Sequence, residues 1–529
     1  MRTRFFAAAM AALACAVATQ ARADVPSVPA QVASPASSAG QLSIPFERFE
    51  LPNGMTVILS EDRSVPLVAV NVMVKVGSRF EKDKRSGFAH LFEHLMFMGT
   101  DRVPTGAFDT LMESEGGWNN AWTSEDRTDY FEVGPAHTLP LLLWLEADRL
   151  SSLGASMTQE KLDAQRKVVR NERRERSENK PYGKIELRLP ELLYPKGHPY
   201  HHPVIGSHED LEAATVNDVK SFFAEYYAAN NLSLVVAGDF DTKAVRADIE
   251  RLFGGLAKAQ VPAAPPASAP SLSGVVRETL VEDNIQLGKI VMAWHSPARF
   301  AAGDAELDIL SNVLDRGKTS RLYKALVFDK ELAQTVSASQ SSQDLSSVFT
   351  IEAIARPGVG LDALEKEIDK VLSELLDKGA TSAEVERAKN DYETMFVLQL
   401  ESVPERASIL NTYQTFAGDP GFIGKDLERY RKVDVAGVNG SAKATLDLNA
   451  RVVLKVEPKA APPKAAPPKK PAEKKPAEKK PAEKKSAEKK PAEKKPAEKK
   501  PAEKKPAEKK PAEKKPAEKK PAEKKGATK

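Results

Sequence analysis

Hydrophobic and polar positions along the chain mark out two successive blocks of strands and helices. In the first, Met55 to Ser60 and Leu67 to Val76 are Val-rich apolar stretches separated by the polar Glu61-Asp62-Arg63-Ser64, the pattern of two strands and a turn. A helix is predicted over Phe88–Met98, stopping at Gly99. Leu139–Leu153 and Thr158–Arg176 read as further helices, Val216–Tyr227 as an amphipathic helix, and Leu232–Gly238 as a buried strand. A linker from Val261 to Ser273 carries four prolines among Ala and Ser. The pattern then begins again. Ile290–Trp294 reads as a strand, Asp304–Leu314 as a helix continued by Ser320–Val327, and Ser346–Ala355 as a strand. Leu361–Leu376 and Ser382–Leu400 are long helices, and Val452–Val456 is a last strand. The similar length and order of elements predict an α+β fold of two related halves, each an antiparallel-rich sheet packed with helices, enclosing a cleft.

Both ends of the chain fall outside this pattern. Arg2 and Arg4 precede an apolar run from Phe5 to about Ala18, and Ala21-Arg22-Ala23 offers a small-x-small cleavage site before Asp24, as in an export signal. The run is short of the roughly 20 residues of a membrane span. Residues 24–42, rich in Pro, Ala and Ser, read as a flexible lead. From Pro471 to Lys525 the chain is eleven consecutive pentads, ten P-A-E-K-K and one S-A-E-K-K. Prolines recurring at nearly every fifth position would break any helix, so a disordered tail is expected. The divisions predicted are thus a signal at 1–23, the lead at 24–42, an N-terminal half at 43–258, a linker at 259–274, a C-terminal half at 275–457 and the tail at 458–529.

Charge and cysteine content then limit the chemistry. Each pentad carries one Glu and two Lys, so the block contributes +11 to a formal total of +4 and leaves −7 for the rest of the 529 residues. The folded part is therefore acidic, and the basic pI is no sign of a nucleic-acid-binding domain. The flexible cationic tail could meet anionic envelope polymers or lipid headgroups, or act only as a solvated spacer. The single cysteine, Cys15, lies within the signal. Ala12-Leu13-Ala14-Cys15 faintly resembles a lipoprotein site, but cleavage after Ala23 leaves a mature chain without thiols. Any zinc must then sit on His and carboxylates.

The chemistry concentrates in His90-Leu91-Phe92-Glu93-His94. On a helix the two imidazoles stand one turn apart on one face, suited to gripping one ion. Glu93 lies on the same edge, placed to take a proton from water. A pair of satisfied core histidines with a nearby carboxylate is the alternative, but two His and a Glu on one stripe of an apolar helix are costly to bury without a ligand.

This H-x-x-E-H order is that of the inverzincins, and its surroundings resemble the pitrilysin (insulinase) family of zinc metallopeptidases. The resemblance runs from about Phe46 to Val456. It includes Gly116-Gly117-Trp118-Asn119-Asn120-Ala121-Trp122-Thr123 with Asp126, Thr128 and Tyr130; Gly197-His198-Pro199-Tyr200 with Ile205-Gly206; and Val235-Val236-Ala237-Gly238-Asp239. It implies a zinc endopeptidase acting on short or unfolded peptides, with Glu172 as third metal ligand and Glu175, one turn on, as its rival. The family often has a supporting Glu two turns before the ligand, where this chain has Gln165. Asn120 matches a substrate-backbone anchor, or is an ordinary turn residue. His198, His201 and His202 suggest a second metal site, but their Pro-rich setting without carboxylates favours a structural role.

The second half offers Asp308, Ser311 and Asn312 where the first has His90, Glu93 and His94, so one zinc ion per chain is expected. Active relatives commonly present an Arg and, two turns later, a Tyr from this half. Val327 and Gln334 stand there instead, and Arg321 and Tyr323 are spaced too closely to fill both places. The resemblance then implies a heterodimer, with a homologous partner that lacks the zinc motif and brings the Arg and Tyr. A non-catalytic assembly subunit, or an envelope-binding protein dominated by its tail, are the alternatives. The signal implies export, to the periplasm or beyond.

Overall fold

The computed structural model describes residues 42–267 and 270–459. The signal, nearly all of the lead, the repeat tail and linker residues 268–269 lie outside the described residues. Among the described residues no helix is long and apolar enough to cross a membrane.

The chain is α+β, with two mixed sheets packed with helices. The first sheet is built from β1 (Glu47–Glu50), β2 (Thr56–Glu61), β3 (Leu67–Val74), β4 (Trp118–Thr123), β5 (Thr128–Pro135) and β6 (Leu232–Gly238), in the order β1-β2-β6-β3-β5-β4. The second is built from β7 (Val276–Glu282), β8 (Lys289–Ser296), β9 (Ala333–Ser341), β10 (Ser347–Ala355) and β11 (Val452–Pro458), in the order β7-β11-β8-β10-β9. Apart from β1, the wiring is the same. One pair in each sheet, β2 with β6 and β7 with β11, is parallel, and the other pairings are antiparallel.

Alternation decides which residues face which layer. Val68, Val70, Val72 and Val74 of β3 point into the main core with Leu91, Phe92 and Leu95 of the Phe88–Leu95 helix. Ala69 faces the opposite way, with Val133 and Val235, and is covered by Val403, Ala407 and Leu410 of the Val403–Ala417 helix. That helix follows the linker in sequence, yet it closes the far face of the first sheet. The reverse also holds. Ile185 and Leu193 of the Lys184–Leu193 helix, followed by Tyr194 and Tyr200, pack on Val291, Val348 and Leu454 of the second sheet. A helix that follows the linker therefore covers the first sheet, and one that precedes it packs on the second.

A buried polar cluster pins the first of these crossings. Asn411 donates to Asn71 Oδ1 at 2.6 Å, to the Asn71 carbonyl at 3.1 Å and to the Ser233 carbonyl at 3.2 Å. Asn71 in turn donates to Asp129 at 2.6 Å.

Several element boundaries differ from the sequence pattern. The Phe88 helix ends at Leu95, and Gly99 turns the chain at φ +74°. Thr158 caps a helix over Gln159–Arg173, which widens into a π turn over Arg174–Glu178. The Ser320–Val327 continuation becomes a π-helical segment over Tyr323–Asp329.

Candidate active site

The Phe88–Leu95 helix is set in place before any ligand is considered. Its first amides have no side-chain cap of their own; the buried Glu81 carboxylate accepts from Gly87 N–H at 2.9 Å and Ala89 N–H at 2.7 Å. Burial pushes the Glu81 carboxyl upward in pKa, against the pull of these amides. Gly87 (φ +84°) meets Gly206 (φ +70°) so closely that a Cβ on Gly206 would lie 2.3 Å from the Gly87 Cα. Only two glycines allow this approach. Phe92 locks the other face, against Phe222, Phe223 and Tyr227.

With that helix fixed, His90 and His94 present their Nε2 atoms to the Gln159–Arg173 helix, where Glu172 meets them. Glu172 Oε2 lies 3.1 Å from His94 Nε2 and 3.9 Å from His90 Nε2. One donor atom from each of the three residues falls within 4.8 Å of the others. This donor set suits a tetrahedral zinc site with one position left open. Burial, then the neighbouring His94, lower the His90 pKa to about 4, so the imidazole is neutral and able to ligate. Burial raises the Glu172 pKa, but the His94 hydrogen bond and the charges of His90, His94 and Arg176 outweigh it, so the carboxylate is favoured. No other such group of His and carboxylates occurs among the described residues.

Glu175, the rival ligand, points elsewhere: it is exposed and accepts from Asn171 at 2.8 Å. Gln165 reaches Met98 Sδ at 2.7 Å, and its buried Oε1 has no partner. Arg176, from the π turn, takes the other oxygen of Glu172 at 2.6 Å.

Glu93 is buried beside the two imidazoles, and burial raises its pKa. Thr123 at the end of β4 donates to Glu93 Oε2 at 2.6 Å. Thus β4, the outermost strand of its sheet, is tied directly to the metal helix. Asn120 shares the opposite face of β4 with Trp118 and Trp122, and its Oδ1 accepts from the Ala121 amide at 2.9 Å. Sequence periodicity misses this strand because Trp118–Thr123 shows no apolar-polar alternation. His198, His201 and His202 do not converge. His198 accepts from Tyr200 N–H and stacks on Tyr194, His201 lies 2.8 Å from the Tyr194 carbonyl, and His202 faces Glu81.

All of this opens onto a cavity of about 760 Å³, lined by the metal helix, β4 and the Lys184–Leu193 helix. The second sheet adds Ser341, Val348 and Thr350 to the lining, and the loop between β9 and β10 adds Gln343. Val327 and Gln334 are not part of this lining, and Arg321 is held away by a two-pronged pair with Glu384 at 2.7 and 2.8 Å. Asp308, in the helix equivalent by wiring to the metal helix, accepts from Tyr430 OH at 2.7 Å.

Comparisons with known proteins agree with this geometry. Residues 56–198 match the family model described as insulinase (peptidase family M16), and residues 213–392 match the peptidase M16 inactive domain. The zinc protease PqqE of Helicobacter pylori is 34% identical over 388 residues, which cover 72% of this chain and 85% of that protein. The crystal structure of a protease from Helicobacter pylori superposes with a TM-score of 0.74 at 29% identity, covering 79% of this chain and all of that one. The first half of the periplasmic protease PqqL from Escherichia coli shares the fold, with a TM-score of 0.63 at 18% identity over 79% of this chain and 93% of that one. With both of its sheets matched in this way and a His-His-Glu donor set at the centre, the chain belongs to the peptidase M16 (insulinase) family of zinc proteases.

Proposed function

We propose that this chain is a zinc endopeptidase for short or unfolded peptides, with one ion held by His90, His94 and Glu172. The observation that carries the reading is the meeting, in one cavity, of the His90, His94 and Glu172 donor atoms, a buried Glu93 and the edge strand β4. A zinc ion held there supplies Lewis acidity toward the scissile carbonyl and toward a water. Glu93 takes the proton of the attacking water and delivers it to the leaving amine nitrogen. The hydrogen bond from Thr123 fixes which Glu93 oxygen is left to do this.

The substrate lies extended along β4, adding a strand to the sheet. Asn120 acts as a backbone anchor: its side-chain N–H donates to a substrate carbonyl while its Oδ1 accepts from the Ala121 N–H. The shared wiring of the two sheets supports related halves at 43–258 and 275–457 that face each other across the cleft.

The chain works as the zinc-bearing subunit of a heterodimer. In support, the wall from the second sheet is uncharged, and Arg176, the one cation lining the cavity among the described residues, is already paired with Glu172. The N-terminal pattern supports export to the periplasm, and the +11 tail supports weak, salt-sensitive retention on anionic envelope surfaces. Deleting Pro471–Lys529 should then release the protein from the envelope in low salt; unchanged retention argues against the tail's role.

The deciding experiment is cleavage of a quenched peptide library by the zinc-loaded mature chain beside its Glu93→Gln variant. Turnover lost in the variant supports the peptidase, and full turnover by the chain alone removes the need for a partner. Silence from both with stoichiometric zinc, followed by turnover when a homologous subunit is added, supports the heterodimer.

A further inference from the structure

The strand that borders the site carries an unusual surface. Trp118 is 50% exposed and Trp122 is 38% exposed. They lie on the same face of β4, with Asn120 between them, opposite Val133, Phe131 and Asp129 on β5. This is the face away from the metal helix, because Ala121 and Thr123 pair with Tyr130 and Thr128 on the other side. The Val403–Ala417 helix covers this face only over the inner strands, leaving β4 open.

Neither indole is loose. Trp118 meets the Phe131 ring edge-on at 5.6 Å. Trp122 is backed by the Arg127 guanidinium at 4.5 Å, and Arg127 is itself seated over Phe416 and bonded to Thr412 at 2.8 Å. Edge strands are normally protected by charges or proline, yet Trp118–Thr123 contains neither. Two ordered, half-exposed aromatic side chains on an unprotected edge make a surface built for a strand with apolar side chains. It is continuous with the site, since Trp122 lines the same cavity as His90 and Glu93.

We infer that Trp118 and Trp122 are side-chain subsites that select peptides with two bulky apolar residues four positions apart. The inference rests on the reading that substrate lies along β4. In an added strand, residues directly opposite on one face form cross-strand pairs, and successive same-face residues are about 7 Å apart. The positions facing Trp118 and Trp122 are therefore separated by three others. The middle one of these faces Asn120 and takes a small or polar side chain. The two intervening residues point to the metal-helix side and carry no such requirement. Because Thr123 bonds Glu93, the cut falls near the Trp122 end, and the Trp118 subsite reads the peptide at a distance from it.

The test uses zinc-loaded protein and quenched peptides that hold two Leu or Phe residues three, four or five positions apart on a Ser-rich background. Spacing four should give kcat/KM about tenfold above the Ser-only peptide for each matched position. In Trp122→Ser that ratio should collapse toward one at the position nearer the cut, and in Trp118→Ser at the distal one. Zinc affinity should not change in either variant. Binding of the same peptides to the Glu93→Gln variant gives an independent readout, with Kd values in the same order. If the chain turns over no peptide, alone or with a homologous subunit added, while these Kd values keep their order, the catalytic reading fails and the inference stands. Kd and kcat/KM values insensitive to spacing, or ratios unaltered by both Trp substitutions, overturn the inference.

Discussion

Removing Arg149 should be among the most damaging single changes outside the site. Its side chain is buried under the first sheet, where Nη2 bonds Glu132 at 2.7 Å and Nε bonds Glu146 at 3.1 Å. The guanidinium also stands over Phe97, Phe108 and Tyr130 at 5.0, 4.9 and 4.7 Å. Phe97 closely follows the metal helix, so the cluster supports the site's foundation. Both Glu132 and Glu146 are fully buried. In Arg149→Met the apolar stem remains but the two carboxylates face each other without a cation. Breaking a buried ion pair by removing one partner costs about 3–5 kcal/mol. Burial and its carboxylate neighbour already push Glu132 well up in pKa, so the variant holds protons that its unfolded chain releases. Its deficit is therefore largest near pH 8 and shrinks as pH falls toward 5. Urea unfolding of wild type and variant at both pH values, followed by far-UV circular dichroism, measures this directly. A control, Glu132→Gln, keeps Arg149 paired with Glu146 and should cost about 1 kcal/mol. A loss below about 1 kcal/mol in Arg149→Met, or a deficit that grows on acidification, would refute the argument.

Three further outcomes are expected. Burial raises the Asp308 pKa to about 7, so its folded form binds a proton that the unfolded chain has lost; the stability this confers below pH 4 disappears as pH rises through 7. Asp308→Asn should therefore gain on wild type between pH 4 and 8, by at most about 4 kcal/mol in urea unfolding, and parallel pH curves would contradict it. Asn411→Leu leaves the Asn71 and Ser233 acceptors dry at the first sheet's far face and should cost about 2–3 kcal/mol, with new proteolytic cleavage around residues 403–417 as a second sign. Gly206→Ala puts a methyl group onto Gly87 at a positive φ, so the metal helix must shift; zinc affinity by chelator competition should fall at least about tenfold, and an unaltered value would show that the loop yields instead.

The pieces whose logic is local were legible along the chain. A helical repeat puts His90, Glu93 and His94 on one stripe wherever that helix ends up, and the Val-rich runs at Leu67 and Leu232 pair as buried strands because no other arrangement hides them. Thr158 and the apolar positions after it likewise announce the helix that bears Glu172. Distant convergence was beyond such reasoning. Glu172 and Glu175 are nearly equivalent along their helix, and only the way that helix crosses the metal helix brings one to 3.1 Å of His94 and leaves the other exposed. The edge strand β4 has no apolar period to reveal it, because its half-buried face carries Asn119, Ala121 and Thr123 while its Trp residues sit on the exposed face. Nor does any local pattern say that Glu81 caps a helix several residues ahead, or that helices after and before the linker pack on the first and second sheets respectively. An apolar stripe states that a helix needs a hydrophobic surface to cover; which surface it covers is set by the shape and polarity of all the others, and that exists only in the folded chain.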